Sequence, residues 1–172
     1  ELSSSSCINP YNVISYEGVD DVNSENIIRR EIEMKKIDVY NIDSFVQEFL
    51  NDCKNNNIII PDQNIIAVFK ELPENTIALS FDYNKNESIK ILVDPVEWKK
   101  ASIQKKMYII YHELGHDVFN LDHGQGGKMM FNFADREYSW YEFFVDKNTM
   151  FDYVKSRSIK TTTDIFLTDV LR

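Results

Sequence analysis

Hydrophobic residues recur at helical spacing in the stretch between Asn41 and Asn57. Ser44 and Gln47 have the spacing of a capping box, and the run of asparagines at 55–57 is expected to end the helix. The apolar positions of this first amphipathic helix form one stripe: Phe45, Val46, Phe49, Leu50 and Cys53.

A second helical pattern starts at Ser102 and has apolar residues on two sides. One face carries Ile103, Met107, Ile110, Leu114 and Val118. Tyr108, Ile109 and Phe119 fall on the opposite side, so both faces are expected to be covered and the helix to be central. Lys99-Lys100 and Lys105-Lys106 are interpreted as solvated charges at its start. Ser139 and Glu142 have capping-box spacing and predict a last helix.

Between the first two helices, four short segments are rich in β-branched residues and separated by turn residues. They cover residues 58–61, 65–69, 76–83 and 88–93. The pattern therefore predicts an α+β fold with a small sheet of three or four strands. Residues 1–25 show no sustained period and are expected to form an extended, partly mobile lead, followed by one domain over 26–172.

Composition narrows the class of protein. The 172 residues carry a formal net charge of −9 without a basic patch, which argues against a nucleic acid partner. No run of about 18 apolar residues predicts a membrane span. Residues 1–6 lack the features of a secretory signal, so the chain is either cytosolic or a mature exported form. The Asn-, Ile- and Lys-rich, Gly-poor composition suggests a low-GC genome, and we expect a secreted or cell-envelope protein of bacterial or phage origin.

The central helix carries the candidate chemistry. His112-Glu113-Leu114-Gly115-His116 places two imidazoles one helical turn apart, where they can share one zinc ion. Glu113 can then accept a proton from a zinc-bound water that attacks a carbonyl. The chain has only three histidines, and all lie within residues 112–123. A catalytic zinc needs a third ligand, and His123 is the natural candidate.

These residues resemble the active-site motif of the metzincin metallopeptidases. His112 to His116, followed by Leu121-Asp122-His123-Gly124, looks like the matrixin version with one extra residue. The family's glycine is replaced by Phe119-Asn120, and Asn120 is expected to adopt the left-handed conformation. An alignment without the insertion, as in snapalysin-like metzincins, makes Asp122 the alternative third ligand. The resemblance also implies a methionine turn below the metal, with Met130 as its methionine.

The resemblance implies a zinc-dependent metalloendopeptidase that acts on peptide or protein substrates. It also implies a metzincin-like fold in which a twisted mixed sheet packs on a first helix and the active-site helix, with a C-terminal helix following. Two other functions stay open, a zinc amidase of cell-wall or small amide substrates and a non-catalytic zinc-stabilised binding domain. Cys7 and Cys53 form either a disulfide or two thiols. Tyr138 and Tyr141 are not assigned a catalytic role, and the sequence does not indicate an oligomeric state.

Overall fold

The computed structural model describes residues 36–61, 64–83, 88–131 and 136–170, together with Arg29, Ile32 and Met34. The expected lead, residues 1–25 with Cys7, lies outside these residues. In chain order the described elements are α1 (Ile42–Asn55), β1 (Asn64–Phe69), β2 (Ala78–Tyr83), β3 (Ser88–Val93), α2 (Pro95–Lys100), α3 (Ile103–Asp117) and α4 (Trp140–Val170). None of the described helices combines the length and the apolar character needed to cross a bilayer.

The three described strands form a small mixed sheet in the order β1-β3-β2. Strand β1 runs parallel to β3, and β2 runs antiparallel to it. The α+β class and the small mixed sheet are therefore confirmed. The predicted strand at residues 58–61 is wrong. Ile58 and Ile60 pack against the core while Ile59 is 94% exposed, so the burial alternates, but this segment pairs with no described strand.

Helix α1 begins earlier than its capping box predicted. Asn41 is the N-cap, and its side-chain oxygen accepts a hydrogen bond from the backbone N–H of Asp43 at 3.1 Å. Ser44 is therefore inside the first turn, and the predicted start at Ser44 is wrong. Asn41, which precedes Ser44 in the chain, is an equally good N-cap residue. A helix that starts there includes Ile42 in its buried face. The helix ends at Asn55, as the asparagine run predicted.

The other helix starts follow local capping chemistry. At α4, the Ser139 hydroxyl accepts from the backbone N–H of Glu142, and the Glu142 carboxylate accepts from that of Ser139, which confirms the predicted box. The short helix α2 was not predicted. It has Asp94 as N-cap and Pro95 at its first position, a combination typical of helix starts.

Helix α3 is central, as its two apolar faces predicted, because it packs against β2, α1 and α4. Its run Lys106–Tyr111 is buried throughout. The prediction that Lys106 is solvated is wrong, since its Nζ donates to the Ala101 carbonyl at 2.7 Å and lies over the Trp98 ring. Burial lowers the pKa of this ammonium. The aliphatic stem of a lysine fills core space when its charged end finds a carbonyl.

A buried polar cluster joins three helices. The Tyr111 hydroxyl on α3 donates to Asp52 on α1 at 2.6 Å, and Lys147 on α4 lies 3.7 Å from the same carboxylate oxygen. Removing one member would leave a buried charge without its partner, which is costly. Cys53 beside this cluster is buried and forms no disulfide within the described residues, and burial raises the pKa of its thiol to about 12. The alternative of a disulfide with Cys7 falls outside those residues.

Candidate metal centre

The last turns of α3 bring two imidazoles together. His112 and His116 lie on the same helix face because residues four apart are one turn apart. Their Nε2 atoms are 3.1 Å from each other, and their ring centroids are 4.7 Å apart. The spacing predicted from the sequence is therefore realised in the side chains.

The chain changes direction just after α3 and brings the imidazole of His123 close to those of His112 and His116. Asn120 has a φ of 53°, so the predicted left-handed residue is confirmed. The backbone N–H of Leu121 then donates to the Gly115 carbonyl at 3.1 Å, which ties the reversed chain to the helix. The His123 ring lies 4.7 Å from that of His116, and the candidate ligand atoms of the three histidines all lie within 4.8 Å of one another.

The structure distinguishes the two candidates for the third ligand position. Among the described residues, the metal-capable group contains His123 and does not include Asp122. The backbone N–H of exposed Asp122 donates to the side chain of Gln125, which closes the loop. The pKa of His123 is lowered by desolvation and by His116, while the Asp122 carboxylate opposes that shift. The geometry therefore favours His123 and leaves Asp122 beside it.

Backbone carbonyls set the tautomers of the two helix histidines. Nδ1 of His112 lies 2.8 Å from the Met129 carbonyl, and Nδ1 of His116 lies 2.6 Å from the Leu121 carbonyl. A carbonyl only accepts, so each Nδ1 carries the proton and each Nε2 presents a lone pair. Two lone pairs thus face each other across 3.1 Å. Such an arrangement is repulsive unless a proton or a cation lies between the nitrogens.

The donor set fits zinc. Two nitrogens that bind one tetrahedral zinc at about 2.0–2.1 Å are about 3.3 Å apart, close to the spacing of the Nε2 atoms. Burial lowers the pKa of His112 to about 4, and the nearby His116 and His123 add to this effect. The Met129 carbonyl opposes the shift. A neutral imidazole whose second nitrogen donates to a carbonyl is the usual form of a metal ligand.

Met130 lies directly beneath the helix that carries the histidines. It ends a short 3₁₀ helix, Lys128–Met130, and is fully buried. Its Sδ occupies the space beside Gly115, where a β-carbon would come within 2.4 Å of the sulfur. The Met130 carbonyl accepts from the backbone N–H of Gly124 at 2.7 Å. The methionine therefore packs between the helix and the loop that delivers His123.

Glu113 faces the sheet and contacts β2. The hydroxyl of Ser80 donates to the Glu113 backbone carbonyl at 3.4 Å. Burial raises the pKa of Glu113, and the neighbouring Asp117 adds to that rise. The bonds from Ser80 and the proximity of His116 oppose it. The carboxyl group is thus partly desolvated.

No family model, curated protein or solved structure matches this chain. Its function is therefore inferred from the geometry of this centre.

Sequence reasoning missed Ser80 and the carbonyls of Leu121 and Met129. The strand pattern gave no sign that Ser80 meets Glu113, since that contact depends on which strand lies beside α3. Tyr138, to which the sequence assigns no catalytic role, stacks on Tyr108 with ring centroids 3.8 Å apart. That stack gives Tyr138 a packing role.

Proposed function

We propose that the chain is a zinc-dependent peptidase with His112, His116 and His123 as ligands and Glu113 as general base. The observation that carries the proposal is the approach of the two Nε2 atoms to 3.1 Å. Separate backbone carbonyls hold the two rings at Nδ1, so that both Nε2 atoms converge on one point, as two ligands of one ion would. An ion held by three imidazoles keeps a position open for water, which is the arrangement of catalytic zinc.

The roles of the residues follow from the chemistry of the centre. Zinc held here would supply Lewis acidity and bring the pKa of a coordinated water close to neutrality. Glu113, one residue after His112, accepts the proton of the attacking water and passes it to the leaving amine. Its partial burial brings its pKa closer to the range in which a carboxylate can both accept and release a proton.

An extended peptide is the substrate that the surroundings favour. Among the described strands, β2 lies at an edge of the sheet and also packs against α3. An edge strand offers backbone N–H and C=O groups that can pair with an extended chain. A small amide has no extended backbone that could pair with such an edge. This observation supports a peptidase over an amidase.

The order of the elements supports a metzincin-like assignment as part of the proposal. A first helix and a mixed sheet precede the helix with His112 and His116, and a loop with a buried methionine precedes the last helix. Met130 packs against Gly115 in the helix that carries the histidines, which agrees with the position that the resemblance implies for the methionine of a methionine turn. Because many α+β domains share the coarse order, the methionine contact is the more specific support.

Metal content and peptide turnover test the proposal together. Elemental analysis of the purified protein is expected to give about one zinc per chain, with the ion lost from His112→Ala. The zinc-loaded protein is expected to cleave members of an unbiased peptide library. Glu113→Gln should retain zinc and lose turnover by at least about 100-fold. The matched control is Glu74→Gln, which alters an exposed loop residue and should cleave like the wild type.

Three results would contradict the proposal. A protein that binds no zinc at micromolar concentrations would remove the metal centre. Zinc-loaded wild type that is as inert as Glu113→Gln would favour the non-catalytic binding domain. Cleavage restricted to small or cell-wall amides, with peptides untouched, would favour the amidase.

A further inference from the structure

The residues that follow α3 form a tight turn around His123. The backbone N–H of Gln125 donates to the Asp122 carbonyl at 3.0 Å, which closes a four-residue β-turn with His123 at its second position. Gly124 is the third residue of the turn and has a φ of 81°, the value that a type II turn needs there. Glycine adopts this φ without strain. The main chain of the third candidate ligand is therefore enclosed by this turn.

The side chain of Gln125 closes the same turn a second time. The backbone N–H of Asp122 donates to the Gln125 Oε1 at 2.8 Å. Because a backbone N–H only donates, the oxygen and not the nitrogen of the side-chain amide must face Asp122. Gln125 is half-buried, whereas Asp122 and His123 are exposed. One residue thus bonds both the N–H and the carbonyl of Asp122, which directly precedes His123.

The three histidines are held in different ways. Backbone carbonyls at Nδ1 fix the rings of His112 and His116. Within the part of the chain that the structure describes, no carbonyl holds the exposed ring of His123 in this way. Its ring nevertheless lies 4.7 Å from that of His116. The position of the third imidazole therefore depends on the turn that carries it.

We propose that Gln125 is a positioning residue whose side-chain amide holds the turn in the conformation that places His123 beside the other two histidines before an ion binds. This inference rests on the metal centre of the proposed function and does not depend on peptidase activity. A free loop would have to be ordered when zinc binds, and that ordering would weaken the observed affinity. A turn that is already closed avoids this loss.

The zinc affinity of two Gln125 variants tests the proposal. Gln125→Met keeps the length of the side chain and removes the acceptor, so zinc binding is expected to weaken about 3- to 30-fold. Gln125→Glu supplies an acceptor oxygen at the same position and should bind zinc at least as tightly as the wild type. The matched control is Gln104→Met, half-buried near the start of α3 and about 12 Å along the helix from His112, which should stay within about twofold of the wild type. Competition with a chromogenic chelator at fixed pH gives all of these affinities.

A double-mutant cycle separates positioning from a general structural role. In the His123→Ala background, Gln125→Met is expected to change zinc affinity by less than about twofold, because the turn no longer carries a ligand. A general loosening of the fold would lower the affinity by the same factor in both backgrounds. Amide hydrogen exchange of the metal-free protein provides a readout without zinc. Gln125→Met should speed the exchange of the Asp122 N–H at least about fivefold, and Gln125→Glu should not.

Failure of this proposal differs from failure of the proposed function. Gln125→Met that binds zinc as tightly as Gln104→Met, or that loses affinity equally in the wild-type and His123→Ala backgrounds, would overturn the role of Gln125 alone. An Asp122 N–H that exchanges equally fast in wild type and Gln125→Met would overturn it as well. Wild type that binds zinc but cleaves no peptide would overturn the proposed function, while a loss of affinity in Gln125→Met would still support the positioning role.

Discussion

The Met130 sulfur lies so close to Gly115 that a β-carbon on that glycine would come within 2.4 Å of Sδ and 3.1 Å of Cε. Gly115 directly precedes His116, so this contact determines how closely Met130 packs beneath the candidate ligands. Met130 can pack this closely because glycine has no side chain.

Gly115→Ala is therefore expected to destabilise the protein, although alanine is normally the better helix former by about 1 kcal/mol. Because Met130 is fully buried and cannot move into solvent, the free energy of unfolding should fall by about 1–3 kcal/mol. Urea denaturation of the metal-free protein measures it. Met130→Ala should remove the clash, so the double variant is expected to lose less than the sum of the single losses. A more stable Gly115→Ala variant would contradict the packing.

Because the backbone at Asn120 is left-handed, the stability of the protein is expected to depend strongly on the residue type at this position. Asn120→Val puts a β-branched side chain at a φ of 53° and should lower the free energy of unfolding by about 1–2 kcal/mol. Asn120→Gly accepts this conformation and should stay within about 1 kcal/mol of the wild type. The matched control is Asn51→Val, exposed within α1, where the two residues have similar helix propensity. Equal losses at both sites would contradict the prediction.

The third ligand position is tested by zinc affinity. His123→Ala is expected to weaken zinc binding by at least about 100-fold, because it removes one of three nitrogens. Asp122→Ala should weaken binding by no more than about tenfold, since Asp122 lies only beside the centre. Competition with a chromogenic chelator at fixed pH gives both values. The reverse ranking would make Asp122 the ligand and the geometry of the loop would need to change on metal binding.

The hydrogen bonds to Asp94, which is not part of the metal centre, are expected to make the stability of the protein depend on pH. The backbone N–H groups of Leu72, Glu97 and Val96 donate to its carboxylate and lower its pKa below the ordinary value of about 3.9. A lowered folded-state pKa means that the stabilisation is complete above about pH 4 and is lost as the pH falls through the folded-state pKa.

Asp94→Asn should accordingly be less stable than the wild type near neutral pH, and the gap should shrink as the pH falls below about 4. Thermal unfolding of the metal-free protein between about pH 2.5 and 7 measures the gap. A gap that stays constant across that range would show that the charge of Asp94 does not contribute.

Local patterns in the sequence determined much of the fold. The stripe of α1, the two apolar faces of α3 and the box at Ser139 and Glu142 depend on residues within one or two helical turns. The pairing of His112 with His116 and the left-handed turn at Asn120 are equally local. These features were predictable because helix geometry fixes the spacing and few residue types tolerate a positive φ.

Tertiary packing decided what the local patterns could not. Residues 58–61 alternate like a strand, yet whether they pair depends on a neighbour that no local pattern specifies. Lys106 was expected in solvent, but its position beside Trp98 and the Ala101 carbonyl makes burial acceptable. Periodicity identifies which face of an element is buried, but it does not identify the atoms that this face meets.

The features of the candidate metal centre likewise divide into those that the sequence predicted and those that only the tertiary structure revealed. The sequence by itself supplied His112, Glu113, His116 and the turn that follows, because one helix and one reversal contain them. The sequence also named His123 as the third candidate with Asp122 as the alternative, and the tertiary structure places the His123 ring 4.7 Å from that of His116. Only the tertiary structure brought Ser80 to Glu113. The contact of Ser80 with Glu113 joins segments 33 residues apart in the chain, and a shift of one residue would turn the serine to the opposite face of its strand.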